Sequence, residues 1–200
     1  MNLPNKITLT RIILIPFIMF FYLMPWPAGK IVAIVLFCLG ILTDFLDGKI
    51  ARKYNLVSTL GIFLDTIADK MLVLVCMILV VSDGTIMSPL GVIAFSIILI
   101  RELAVSALRQ LGAQKNIVIC ADMLGKYKAT FQFLFVVFFM LYSYLLGLPN
   151  LSYTVDLVVQ IICYSLLGVA VLLTIISGVH YLIKNKGVFI DENKSNSDVV

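Results

Sequence analysis

Four aspartates offer the clearest chemistry in this sequence. Asp44 and Asp47 are three residues apart, and Asp65 and Asp69 are four apart. On helices, each spacing puts its pair on one face. All four lie in otherwise apolar runs, where a charge at membrane depth costs on the order of 2.5–3.5 kcal/mol. Carboxylates brought face to face stay ionised only if cations compensate them. A set of oxygen ligands with no His or Cys nearby favours magnesium, manganese or calcium over zinc. Gly48, Ala51 and Gly61 beside the acids permit close approach of a ligand or a neighbouring helix, and Arg52 can bind a phosphate bidentately.

Two other uses compete. The acids could form ion pairs with Lys70, Arg101 or Lys49 that fix helix packing, but four acids exceed the nearby bases and buried pairs are a costly way to stabilise. They could line an ion or proton pathway, as in a cation transporter. The acids crowd one side, however, and the outer half of every span is apolar, whereas a pathway continues across.

The elements that must position these residues follow from composition. Of 200 residues, 62% are hydrophobic and 13% charged, with mean hydropathy +1.09. A soluble domain is about 45–50% apolar and about 25% charged, so an ordinary globule is excluded, as is a disordered chain. Apolar runs and breakers predict an all-α bundle of six transmembrane helices: Ile7–Met24, Lys30 to about Ile50, Val57–Val81, Ile86 to about Arg109, Met123–Leu148 and Val155–Ile183. Residues 1–183 form the membrane domain and 184–200 a polar tail. The first run lacks the basic start and small-residue cleavage pattern of a secretory signal, so it reads as a retained span.

Charge sets the expected orientation. Lys6, Arg11, Arg52, Lys53, Arg109, Lys115, Lys184, Lys186 and Lys194 fall at the termini and alternate loops, with Lys30 alone opposite. Basic loops stay inside, which predicts both termini in the cytoplasm. Asp47, 17 residues past Lys30, is then ~26 Å along its helix, near the cytoplasmic boundary of a ~30 Å core. The four aspartates thus share the cytoplasmic third of the membrane. The net charge of +4 forms no basic stripe outside the apolar runs, so nucleic-acid binding is a poor reading. Cys38, Cys76, Cys120 and Cys163 are widely spaced, with no disulfide or metal pattern.

The acids also lie in a recognisable frame. Asp44-Phe-Leu-Asp47-Gly48-Lys-Ile-Ala51-Arg52, eight residues, then Gly61-Ile-Phe-Leu-Asp65-Thr-Ile-Ala-Asp69 fits D-x2-D-G-x2-A-R-x8-G-x3-D-x3-D at every fixed position. It resembles the signature of the CDP-alcohol phosphatidyltransferases. The resemblance implies a membrane enzyme of phospholipid synthesis with a two-metal centre of Mg2+ or Mn2+ on Asp44, Asp47, Asp65 and Asp69. It places Gly48, Ala51 and Arg52 in the cytidine diphosphate pocket and makes Asp69 the general base. Members are often homodimers.

Three further stretches resemble the branch that uses sn-glycerol-3-phosphate as acceptor. Asn2-Leu-Pro4-Asn5-Lys-Ile-Thr8-Leu-Thr-Arg11 resembles its opening; Asn5 and Thr8 either touch the nucleotide or belong to a helix start. Arg101-Glu102-Leu-Ala-Val-Ser-Ala-Leu-Arg109 resembles R-E-x2-V-S-x-L-R, with Ala107 where glycine is frequent. Gly125-Lys126-Tyr-Lys128-Ala-Thr130 resembles G-K-x-K-T with one extra residue. Arg101, Arg109, Lys126 and Lys128 suit an acceptor carrying its own phosphate; the alternative for the two lysines is anchoring to anionic headgroups. Glu102 is expected to hold Arg101, and Lys70 to meet a carboxylate or a phosphate. Ser58 either touches the nucleotide or caps the third helix.

The expected reaction is transfer of the phosphatidyl group of CDP-diacylglycerol to sn-glycerol-3-phosphate, with CMP released at the cytoplasmic side of the cell membrane. Another acceptor, such as inositol phosphate, is the nearest alternative. His180 reads as an interfacial structural residue, and Phe131–Phe139 as a lipid-facing or packing stretch.

Overall fold

A computed structural model describes residues 3–53, 59–86, 89–114, 123–149 and 151–185, with side chains for all of these except 3–6, 45–53, 59–60, 62–63 and 113–114. Among them are six α-helices and no strand: α1 (Leu3–Leu23), α2 (Pro27–Lys53), α3 (Thr59–Ser82), α4 (Leu90–Gln114), α5 (Met123–Leu146) and α6 (Tyr153–Lys184). Each overlaps one expected apolar run, and the ends differ for local reasons. Helix α1 starts at Leu3, so Pro4 and Asn5 lie within its first turn, where proline's missing N–H costs nothing. Pro16 is carried inside α1 without ending it. Helix α4 begins at Leu90 rather than Ile86, after a turn in which Gly84 takes φ +77° and the Pro89 carbonyl accepts from Ile93 N–H.

The stretches Pro27–Asp44, Leu90–Gly112, Met123–Leu146 and Tyr153–Lys184 are long and apolar enough to cross a membrane, and Ile7–Leu23 is a shorter apolar stretch. The 24 residues of α3 include Asp65, Asp69 and Lys70 in their first half. Helix α1 packs on α2 and α3, α5 joins α6 to α2 and α3, and α4 leans on α6. Ile18, Phe37, Val80, Ile98, Phe139 and Ala170 are fully buried between them. Phe135 and Phe139 meet edge-to-face and Phe139 does the same with Tyr164, so this aromatic stretch is packing. Ile13, Phe17, Phe20, Leu103, Leu172 and Ile183 point outward, each more than half exposed. So much outward apolar surface belongs against lipid, and the fold is a membrane helical bundle. Cys38, Cys76 and Cys163 are free.

A polar staple closes one end. Asp83, in the turn beyond α3, accepts from Tyr22 OH (2.5 Å), Ser143 Oγ, Thr85 N (2.9 Å) and Thr85 Oγ1. Lys30 Nζ donates to the Ser143 carbonyl (3.1 Å) and hydroxyl (2.5 Å) and lies 3.7 Å from Asp83. Four chain segments are thereby joined where the apolar core ends. A cavity beside the staple is lined by Trp26, Tyr144 and the staple residues, whose polar atoms bond mainly to one another. Helix α5 is tied to α6 nearby by Tyr142 OH donating to Asp156 (2.9 Å).

Burial pushes the Asp83 carboxyl up, but the hydrogen bonds from Ser143, Thr85 and Tyr22 together hold it below its ordinary value. With the folded pKa below the unfolded one, this group stabilises the fold above the ordinary carboxylate range, and that contribution is lost as pH falls through the folded value. Asp83→Ala should cost about 2 kcal/mol by thermal unfolding in detergent, since it strands buried donors. Asp83→Asn should flatten the wild-type loss of stability on acidification. A variant with the wild-type melting curve at every pH would remove the staple from the account.

Candidate active site

The polar residues at the other end of the bundle form two groups. The first is held by Arg11 of α1. Its Nη1 lies 2.8 Å from Asp44 Oδ1 on α2 and 3.3 Å from Asp65 Oδ1 on α3. The two carboxylates therefore converge on one nitrogen. This pairing joins three helices and brings in Arg11, a residue not expected in the site, where the sequence offered Lys70, Arg101 or Lys49 as ion-pair partners. Arg11 is 0% exposed, while the side chains of Asp44 and Asp65 are 36% and 49% exposed. The guanidinium thus supports the acids from the protein side, and each carboxylate keeps lone pairs on its open side.

The second group is basic. Glu102 of α4 pairs with Lys128 of α5 and lies 3.4 Å from Arg101 Nη1, so the expected Arg101 partner also engages Lys128. Lys70 of α3 donates to Ser106 Oγ and is within electrostatic reach of the Asp69 carboxylate. Arg109 Nε donates to Tyr181 OH on α6 (3.0 Å), with its guanidinium 5.5 Å from the ring centroid. Gly178, one turn before Tyr181, leaves space for Arg101, because a Cβ there would meet Arg101 Cγ at 3.0 Å. Tyr181 and Gly178 thus shape both arginines. Neither had a spacing signal in the sequence.

Asp69 lies between the groups. It is within electrostatic reach of Asp44, Asp65 and Arg11 on one side and of Lys128 on the other. It also lines a cavity of about 50 Å3 with Lys70, Glu102, Lys128 and Gln132. Lys70, Arg101, Arg109 and Lys128 form an interacting basic cluster, with Glu102 against Arg101 and Lys128 and Asp69 near Lys70 and Lys128, and four cations to two carboxylates suit a phosphate.

The other expected site residues are placed as follows. Thr8 is buried three residues before Arg11, and Gly61 is partly buried on α3. Lys126 is exposed on α5 while Lys128 is buried, because positions two apart on a helix face different ways. His180 is exposed near the end of α6. Asp47, Gly48, Ala51 and Arg52 lie on the last turns of α2, and Asn5 on the first turn of α1, with side chains outside the described set; Ser58 lies outside the described residues.

A hard divalent cation fits this donor chemistry, since the available ligands are carboxylate oxygens with open faces. Among the described residues, no three such side chains stand together as a ligand set, and the Asp47 side chain lies outside them.

The fold and site define a membrane-embedded protein with a carboxylate centre beside a cluster of basic side chains. The chain belongs to the CDP-alcohol phosphatidyltransferase family, whose profile matches residues 1–177. A Bacillus subtilis (strain 168) protein named CDP-diacylglycerol–glycerol-3-phosphate 3-phosphatidyltransferase is 37% identical over 196 residues, 92% of this chain and 95% of its own. A Rickettsia bellii (strain RML369-C) protein of the same name is 40% identical over 184 residues, 90% of this chain and 93% of its own. A third so named, from Salmonella choleraesuis (strain SC-B67), is 32% identical over 193 residues, 96% of this chain and 98% of its own.

Arg11→Met keeps the side-chain stem and removes the charge that holds the acids together. In EDTA it should lower stability by about 1–2 kcal/mol, a modest value because the carboxylates are partly open to solvent. Millimolar MgCl2 should then raise the melting temperature of the variant more than that of the wild type. Equal shifts in both proteins would mean that Arg11 and a cation do not share these carboxylates.

Proposed function

We infer that this chain transfers the phosphatidyl group of CDP-diacylglycerol to sn-glycerol-3-phosphate, giving phosphatidylglycerophosphate and CMP. The observation that carries this reading is the position of Asp69, which interacts with Asp44 and Asp65 and lines a cavity with Lys70, Glu102 and Lys128, next to the arginines Arg101 and Arg109 that interact with Lys70. The family assignment and the names of the relatives support the substrates. A lipid substrate needs a site within the bundle, and two water-soluble partners need that site at its edge.

The chemistry proceeds by one displacement. Lys70, Arg101, Arg109 and Lys128 bind the phosphate of the acceptor and present its free hydroxyl to Asp69. Asp69 accepts the hydroxyl proton as the oxygen forms a bond to the phosphorus bearing diacylglycerol. The bond from that phosphorus to the CMP oxygen breaks, and CMP leaves with the electron pair. Asp44, Asp47, Asp65 and Asp69 would hold Mg2+ or Mn2+, which supplies neutralisation of the diphosphate and the leaving group. Gly48, Ala51 and Arg52 serve the nucleotide, with Asn5, Thr8, Ser58 and Gly61 around it. Tyr181 positions Arg109, and Lys126 stays at the membrane surface.

The site faces the cytoplasm in this reading. It lies at the end shared by the start of α1, the end of α4 and the end of α6, where the sequence concentrates lysine and arginine. Both termini are then inside, and the staple at Asp83 is on the far side of the membrane.

CMP release by the purified protein tests the reaction. It should require CDP-diacylglycerol and sn-glycerol-3-phosphate, exceed release with inositol phosphate, and stop in EDTA. Asp69→Asn should lower kcat by about 10²–10⁴-fold. Full activity in that variant, or in EDTA, would overturn the mechanism. Arg109→Ala should raise the acceptor KM roughly tenfold or more, a charged hydrogen bond contributing about 1.5–3 kcal/mol, with the KM for CDP-diacylglycerol unchanged. An unchanged acceptor KM would remove Arg109 from the phosphate pocket.

A further inference from the structure

Gln132 is a polar side chain that the reaction above does not use. It lies on α5 one turn beyond Lys128, between Phe131 and Phe133, and is 4% exposed. Its Nε2 is buried with no hydrogen-bond partner among the described residues. A stranded buried donor costs about 1–3 kcal/mol, and a leucine or methionine would fill the same space in an apolar helix without that cost. Gln132 also lines the cavity that contains Asp69, Lys70, Glu102 and Lys128. The unused donor therefore stands at the wall where the acceptor must lie.

The chemistry of a carboxamide narrows the ligand group. It is neutral, so it would add little to a phosphate bound by the basic cluster proposed above. It offers donors and an acceptor together, the complement of an alcohol hydroxyl, which is both. An acceptor of the proposed type carries two hydroxyls on adjacent carbons. One attacks beside Asp69, and the other must be accommodated within the same small cavity.

We propose that Gln132 hydrogen-bonds the non-reacting hydroxyl of the acceptor and so selects a vicinal diol phosphate over a simple hydroxyalkyl phosphate. This rests on the acceptor reading above. A site built to hydrogen-bond a hydroxyl rejects the analogue lacking it far more strongly than an apolar pocket rejects a missing methylene, because its own polar group is left unpaired. The bond also holds the neighbouring carbon in place, which keeps the reacting hydroxyl aimed at Asp69.

The test compares sn-glycerol-3-phosphate with 3-hydroxypropyl phosphate, the same chain without the middle hydroxyl, in the CMP-release assay on the purified full-length protein. Wild type should favour the diol by roughly 10²-fold or more in kcat/KM. Gln132→Met should lose most of that preference by becoming slower with sn-glycerol-3-phosphate, while its rate with 3-hydroxypropyl phosphate stays within about threefold of wild type. Gln132→Leu, of different shape but also without the amide, should behave alike and guard against a packing effect peculiar to one substitution. Retained preference in both variants overturns the inference, as does an equal loss with both acceptors, which marks a structural role. Wild type that is active but indifferent to the missing hydroxyl also overturns it while leaving the transferase reading intact. Wild type that releases CMP with neither acceptor overturns the acceptor reading itself.

Discussion

The proposed active end of this bundle depends on one buried guanidinium. Arg11 is sealed inside the protein, yet it meets Asp44 of α2 and Asp65 of α3 at a single nitrogen. Removing a charge from water is expensive unless it is well paired, and two acids on neighbouring helices repel unless a cation stands between them. Each side of the arrangement makes the other tolerable. Its asymmetry matters for function: the cation is closed off and the anions are partly open. The protein thus compensates its own acids from behind and leaves oxygen lone pairs facing outward, as a centre for divalent metal and diphosphate requires.

The rest of the bundle can be understood as a rigid frame around that contact. At the opposite end, the Asp83 staple fixes the turn after α3 against Tyr22, Lys30 and Ser143, so α1, α2, α3 and α5 are tied at both ends of an apolar core. Between the two ends, Phe37, Ile98 and Phe139 leave little freedom for the helices to slide. The basic pocket relies on α6 through Tyr181 and Gly178, which orient and accommodate arginines of α4. A helix rich in outward apolar residues therefore also shapes a polar site.

Much of this was legible in the sequence, because membrane helices are written as long apolar runs ended by breakers. All six runs coincide with helices, and the two differ by four or five residues at Leu3, Leu90 and Gln114. The aspartates were legible because their spacing and their presence in apolar segments both stand out. Arg11 was not, since its partners depend on which face α1 turns toward α2 and α3. Lys126 and Lys128 look equivalent in the sequence, but helix geometry exposes one and buries the other. Tyr181, Gly178 and Gln132 carry no motif of their own and become meaningful only through what they touch, or fail to touch, in three dimensions.

The central claim is that the carboxylates gathered by Arg11 form a divalent-metal centre. The most direct measurement is Mn2+ binding to the detergent-purified protein, read from the electron paramagnetic resonance of the free ion. Saturable binding should occur in the wild type and persist in Asp83→Asn, which alters a carboxylate at the opposite end. Asp65→Asn should weaken it by at least the roughly tenfold that loss of even an outer partner of a metal ligand costs. Wild-type binding in Asp65→Asn would contradict the account.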